Sequence, residues 1–145
     1  MKRLLLVLCA CALTAASAAG ATTLLPGIHS PSGNIKCLFV PGPPASLLCS
    51  LAQADYAKAL QANCIAGPSV DWHGFQLLAT KKGTIVCSGG VLYNPGTQRP
   101  HYVNLPYGKV WRHAMFTCWS RVTGVTCQNR AGHGLFLSRQ SWRAW

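Results

Sequence analysis

His113 and His133 are the two side chains best placed to move a proton near neutral pH, and Arg112 and Arg139 are cations near them in the sequence. One imidazole as base, a second as acid and a guanidinium on the pentacoordinate phosphate would suffice to cleave RNA without a metal. Five histidines in 145 residues make such a set easy to assemble by accident, so these four are weak candidates and no catalytic residue is expected. His133 also stands in Gly132-His133-Gly134, where the glycines leave its ring on an open turn. The structural reading is favoured there: glycines supply positive φ between two strands, and the histidine bonds backbone to hold the turn. A carboxylate pair for glycoside hydrolysis would need Asp55 and Asp71, the only two acids, to converge at about 5–9 Å. Nucleophile-elbow, zinc-protease, P-loop and dinucleotide motifs are all missing, and no cofactor is expected.

A second constellation is suited to binding. Trp111, Trp119, Trp142 and Trp145 are interleaved with Arg112, Arg121, Arg139 and Arg143. Rings beside cations suit single-stranded nucleic acid or glycans. The competing fate of a tryptophan in a small β domain is the core, particularly for Trp111. The Ser141–Trp145 tail is expected to dock as a lid on the core, with insertion at a membrane interface as the alternative.

Met1-Lys2-Arg3, the apolar run Leu4–Leu13 and the small residues Thr14–Ala21 form a secretory signal peptide, with cleavage expected after Ala18. Leu8-Cys9-Ala10-Cys11 looks like a lipobox, but the apolar run before it is very short, so lipid anchoring is not expected. No segment reaches the roughly 20 apolar residues that a membrane helix needs. The expected destination is outside the cell, in the periplasm or at the cell envelope.

The six cysteines after the leader are Cys37, Cys49, Cys64, Cys87, Cys118 and Cys127. An even number in an exported chain implies bridges, for which 15 connectivities exist. Cys118 and Cys127 flank a Thr123-Gly124 turn, and Cys37 and Cys49 bracket Pro41–Pro44, so each pair would face across a hairpin. Elimination leaves Cys64 with Cys87. No C-x-x-C pair is present, and bridges are favoured over zinc, so no metal site is expected.

Removing Lys2 and Arg3 leaves 11 basic residues against two acids, close to +9. A field of that sign attracts nucleic acid, teichoic acid, lipopolysaccharide or phospholipid head groups. The charges are scattered, with only Lys81-Lys82 adjacent, so incidental charge is the competing reading.

The elements that must position these groups are short strands. Residues 19–28 are expected to be a flexible lead-in and 29–145 a single domain. Ile35–Val40 and Ser46–Cys49 form one hairpin, and Gly74–Thr80 and Thr84–Cys87 another around Lys81-Lys82-Gly83. Leu51–Ala62, free of Gly and Pro, is the one helical window, and Gly96–His101 is expected to be an exposed loop. Lys109–Trp111, Met115–Ser120, Val125–Asn129 and Leu135–Ser138 complete an antiparallel meander. The fold expected is mainly β, a small antiparallel sheet or partial barrel with one short helix and three disulfides.

Several blocks carry a resemblance: Ser30–Cys37, Asp71-Trp72 through Gly74, Leu105–Gly108, Phe116–Cys118, Gly124–Asn129, Gly132–Gly134 and Leu137–Arg139. From about His29 onward the chain resembles a group of small exported bacterial proteins with six cysteines, known only as a domain of unknown function. The resemblance implies a secreted, disulfide-bonded, mostly β domain and brings no activity. The chain departs from the group's pattern in three ways. It has no acid after the fourth cysteine, where Ser88–Val91 stands; Leu51–Ala62 replaces a Trp- and Pro-rich segment; and its positive charge is untypical. Functions tied to those regions do not carry over.

The function expected is therefore a noncatalytic binding domain drawn to anionic polymers or the envelope, with another protein as the alternative partner. A small cationic ribonuclease and a structural envelope protein with incidental charge are the competing readings.

Overall fold

The computed structural model describes residues 23–64, 70–94, 96 and 98–145. The segment expected to be a signal peptide, its expected cleavage point after Ala18 and the Cys9/Cys11 motif lie outside them. Eleven strands and one short helix are arranged in two sheets. Strands β1 (Leu24–His29), β2 (Ile35–Val40), β3 (Ser46–Leu51), β4 (Asp71–Leu78), β5 (Thr84–Ser88) and β6 (Arg99–Asn104) build the first, in the order β5-β4-β3-β2-β1-β6. The second is a meander of β7 (Val110–His113), β8 (Phe116–Arg121), β9 (Gly124–Asn129), β10 (Gly134–Leu137) and β11 (Trp142–Ala144). All neighbours are antiparallel except β1 and β6, which run parallel with Leu24 opposite Arg99 and His29 opposite Asn104. The chain is thus mainly β, as expected, but it forms two packed sheets rather than one.

Strand alternation divides each sheet into an inner and an outer face. Ile28, Cys37, Cys49, Phe75 and Leu77 from the first sheet and Phe116, Cys118, Val125, Cys127, Leu135 and Leu137 from the second make one core. At its centre two disulfides face each other across the sheets. Cys37–Cys49 and Cys118–Cys127 each join residues directly opposite in a hairpin, with Cα atoms 4.0 Å apart. Cys64–Cys87 ties the chain after the helix to β5, so the pairing is the sequential one. The sulfurs of Cys37, Cys49 and Cys127 lie within 4.8 Å of one another, yet each is in a bridge and offers no thiolate to a metal. Asn129 pins the sheets together: its amide nitrogen donates to the carbonyls of Leu78 at 2.7 Å and Lys81 at 3.1 Å.

Three expectations need correction. The lead-in over 19–28 is from Leu24 onward a strand inside the first sheet, with Leu25 and Ile28 both 1% exposed. The loop expected over Gly96–His101 gives way from Arg99 to strand β6. The helix is only α1 (Ala57–Gln61), because Leu51 is spent in β3 opposite Ile35 and the next two amides bond Asn34. No helix among the described residues is long and apolar enough to cross a membrane.

Candidate functional site

The second sheet has an outer face that carries most of the interleaved aromatic and basic residues. Residues opposite in neighbouring strands point the same way, so the register reads the face directly. One row runs Val110, Trp119, Thr126, Phe136, Arg143 across all five strands. The adjacent row runs Arg112, Thr117, Gln128, Gly134, and Gly134 exchanges both backbone hydrogen bonds with Trp145. Arg121, two residues beyond Trp119, extends the face toward the β8–β9 turn. Arg112, Arg121 and Arg143 are exposed, Trp145 is 37% exposed, and Trp119 and Phe136 are half-buried.

The seat of Trp145 explains part of the Gly132-His133-Gly134 motif. A Cβ on Gly134 would run into the Trp145 ring, so glycine lets the indole lie flat on the sheet. Arg143 then stacks over that ring at 5.2 Å from its centre. Gly132, with φ +86°, makes the turn itself. Backbone bonds close this turn, from the Gly132 amide to the Asn129 carbonyl at 3.1 Å and from the Asn129 amide to the His133 carbonyl at 2.9 Å. Side chains of β9 reinforce it, Asn129 Oδ1 accepting from the His133 amide at 3.0 Å and Gln128 donating to the Gly132 carbonyl at 3.1 Å. The His133 ring bonds no described residue.

The eight binding candidates are therefore sorted into three places. Arg112, Trp119, Arg121, Arg143 and Trp145 share the outer face. Trp111 and Trp142 point inward and pack on the core, Trp142 against Phe75 with ring centres 4.9 Å apart. Arg139 stands at the β10–β11 turn, where its Nε donates to Asp55 at 3.1 Å. Phe136 is the member that sequence reading missed. Its signal was the alternation of Gly134–Leu137, in which position 136 is the outward one between two buried leucines.

The four weak catalytic candidates are not brought together. The His113 ring lies at the core rim, 4.5 Å from that of Phe39 and stacked 5.6 Å from Trp111, while Arg112 beside it points to the other face. His133 immediately precedes β10, three strand spacings or about 14 Å from β7. Arg139 lies at the far end of β10 from His133, about 13 Å along the strand. The two acids are likewise engaged separately, Asp55 with Arg139 and Asp71 with the Gln61 amide at 3.1 Å.

Half-buried Tyr56 reaches the Ser138 carbonyl at 3.0 Å, and its burial pushes the phenol up to about 12. Tyr102 on the first sheet is raised by burial as well.

Residues 52–143 match the model of a family of unknown function, a stretch that takes in the second sheet up to Arg143 and leaves out all of β1–β3. No curated protein and no solved structure matches the chain. With well over half of its length covered, and the cationic outer face almost entirely inside the match, the chain belongs to this family of unknown function, DUF6636.

Proposed function

We propose that this is a noncatalytic binding domain that holds an anionic polymer at or outside the cell envelope, on the outer face of its second sheet. The observation that carries the reading is the gathering of Arg112, Trp119, Arg121, Phe136, Arg143 and Trp145 on one uncrowded face, with Asp55 and Asp71 both elsewhere. Arg112 on β7 and Arg143 on β11 stand on opposite edges, about 19 Å apart at four strand spacings. No single phosphate reaches both. A polymer with repeating anionic groups does, and its rings or bases gain by stacking on Trp119 and Trp145.

Nucleic acid, teichoic acid and lipopolysaccharide all meet this description. Binding is measured at low and at raised salt for a single-stranded RNA, a teichoic acid preparation and anionic vesicles. Affinity is expected to fall steeply with salt, and Arg112→Ala and Arg143→Ala are each expected to lower the log–log salt slope by about 1. Absence of binding to every one of these at low salt would sink the reading and leave the charge incidental. Export is part of the same reading, supported by the three bridges. Mass spectrometry of the exported protein is expected to find Ala19 as its first residue.

A further inference from the structure

A cleft of about 490 Å³ lies not on this face but at one end of the sandwich. That is within the size range of small-ligand sites. Five separate pieces of chain meet there: the β1–β2 turn, the segment after β3, Tyr107 before β7, the β8–β9 turn and the β10–β11 turn. Four of the sequence blocks that carry the family resemblance thus converge on it, through Ser30 and Ser32–Ile35, Tyr107, Gly124, and Ser138-Arg139.

Its polar groups divide into two kinds. Some build the walls. The Asn34 carboxamide donates to the Gln53 carbonyl at 3.0 Å and accepts from the Gln53 amide at 2.7 Å. Ser30 Oγ accepts from the Ile35 amide at 3.1 Å, Ser138 Oγ from the Ser141 amide at 3.0 Å, and Tyr56 fixes the Ser138 carbonyl. The others present themselves to the cleft. The side chains of Gln53, Tyr107, Arg121, Thr123 and Gln140 bond no described residue, and Arg139 uses only its Nε, toward Asp55. No acid lines the cleft.

A pre-built polar pocket with two guanidinium groups, two carboxamides, a phenol and a hydroxyl offers hydrogen bonds to a ring of hydroxyls and a charge to an acid. We infer that the cleft binds one acidic sugar unit, a hexose ring bearing a carboxylate or a phosphate, with Arg121 and Arg139 on the anion and the amide and hydroxyl groups on the ring. This site goes beyond the polymer face, with which it shares only Arg121, and either can exist without the other.

The test is a titration of isotopically labelled protein, at low salt, with glucuronate, glucose 6-phosphate, glucose and inorganic phosphate, followed by amide chemical shifts. Saturable shifts are expected at Gln53, Thr123, Arg139 and Gln140 with at least one acidic sugar. Arg139→Ala and, as a variant that spares the Asp55 contact, Gln140→Ala are expected to weaken that sugar about tenfold or more and about threefold, respectively. Trp119→Ala, which weakens the polymer, is expected to leave it unchanged. The inference is overturned if neither acidic sugar gives saturable shifts, if glucose or inorganic phosphate binds as well as the acidic sugars, or if the shifts fall at Trp119 and Phe136 instead. Loss of polymer binding with these sugar shifts intact would separate the failure of the face from the success of the cleft.

Discussion

The outer faces of the two sheets use the same device for different ends. On the first, the Tyr102 ring lies 2.8 Å from where a Cβ of Gly27 would stand, and Lys36 is 5.9 Å above that ring. On the second, Trp145 lies on Gly134 beneath Arg143. Around the first stack the surface is apolar and closed: Leu25, Leu38 and Leu48 are at most 6% exposed, and Leu92 and Tyr93 of the β5–β6 connection close with Tyr102 around a cavity of only about 140 Å³. Around the second, arginines and half-buried rings are left without cover. A sheet face that its own chain covers contributes to stability, and one left open with cations and aromatics remains available to a ligand.

The contrast breaks most readily at Leu48. Leu48→Ala is expected to cost about 2–5 kcal/mol in denaturant unfolding, as removal of a buried leucine does elsewhere. Trp119→Ala on the other sheet is expected to cost less than about 1 kcal/mol of stability but about 1–3 kcal/mol of polymer affinity. Equal losses of stability would show that the second face is structural too.

A finer comparison sets the two glycines against each other. Gly27→Ala brings a Cβ against both the Tyr102 ring and the Cys37 backbone carbonyl, each 2.8 Å away, and backbone in the middle of a sheet does not yield. Gly134→Ala meets only the ring of Trp145 at the last strand, which can swing away. Thermal unfolding is therefore expected to show the larger loss for Gly27→Ala. Binding is expected to show it for Gly134→Ala, together with a change in tryptophan fluorescence.

The smallest effect is alkaline. Tyr56 and Tyr102 both have raised pKa values in the fold, Tyr56 about 12 against an ordinary 10. Between those values the folded protein holds protons that the unfolded chain has released, so this contribution is complete below pH 10 and is lost as pH rises toward 12. Tyr56→Phe is expected to remove part of the alkaline loss measured by denaturant titration, at the cost of about 1 kcal/mol for the Ser138 bond at neutral pH. Trp145→Phe, on the open face, is expected to leave the slope above pH 10 as it was.

How much of this could be read in the sequence depended on distance along the chain. The hairpins β2–β3, β4–β5 and β8–β9, and the bridges inside two of them, are local, and turn residues with alternating apolar positions announce them. Strands β1 and β6 pair in parallel across about 75 residues, which no turn signal records. Each also looks unlike a strand, β1 with Pro26-Gly27 and β6 with Pro100 on an edge that tolerates it. The outer face was half legible. Its arginines and tryptophans stood out, but their sorting needed the phase of each strand, so Trp111 and Trp142 were grouped with residues on the opposite side. The cleft was not legible, because its polar groups come from separate pieces of chain, three of them turns, that only the folded chain brings together.

The facing bridges in the core carry a chemical consequence. A thiolate freed from Cys37 or Cys49 would have the Cys127 sulfur within 4.8 Å, closer than any external thiol, in a space that excludes water. An external thiol that opens the Cys37–Cys49 bridge stays on Cys49 as a mixed disulfide and frees Cys37. Attack of Cys37 on Cys127 would form one link between the sheets and release the Cys118 thiolate, whose attack on the mixed disulfide at Cys49 would form the second and return the external thiol. An intracellular preparation kept partly reduced has a route to a cross-paired isomer, whereas closure of the 9- and 12-residue separations as each hairpin forms consumes both thiol pairs before the sheets meet.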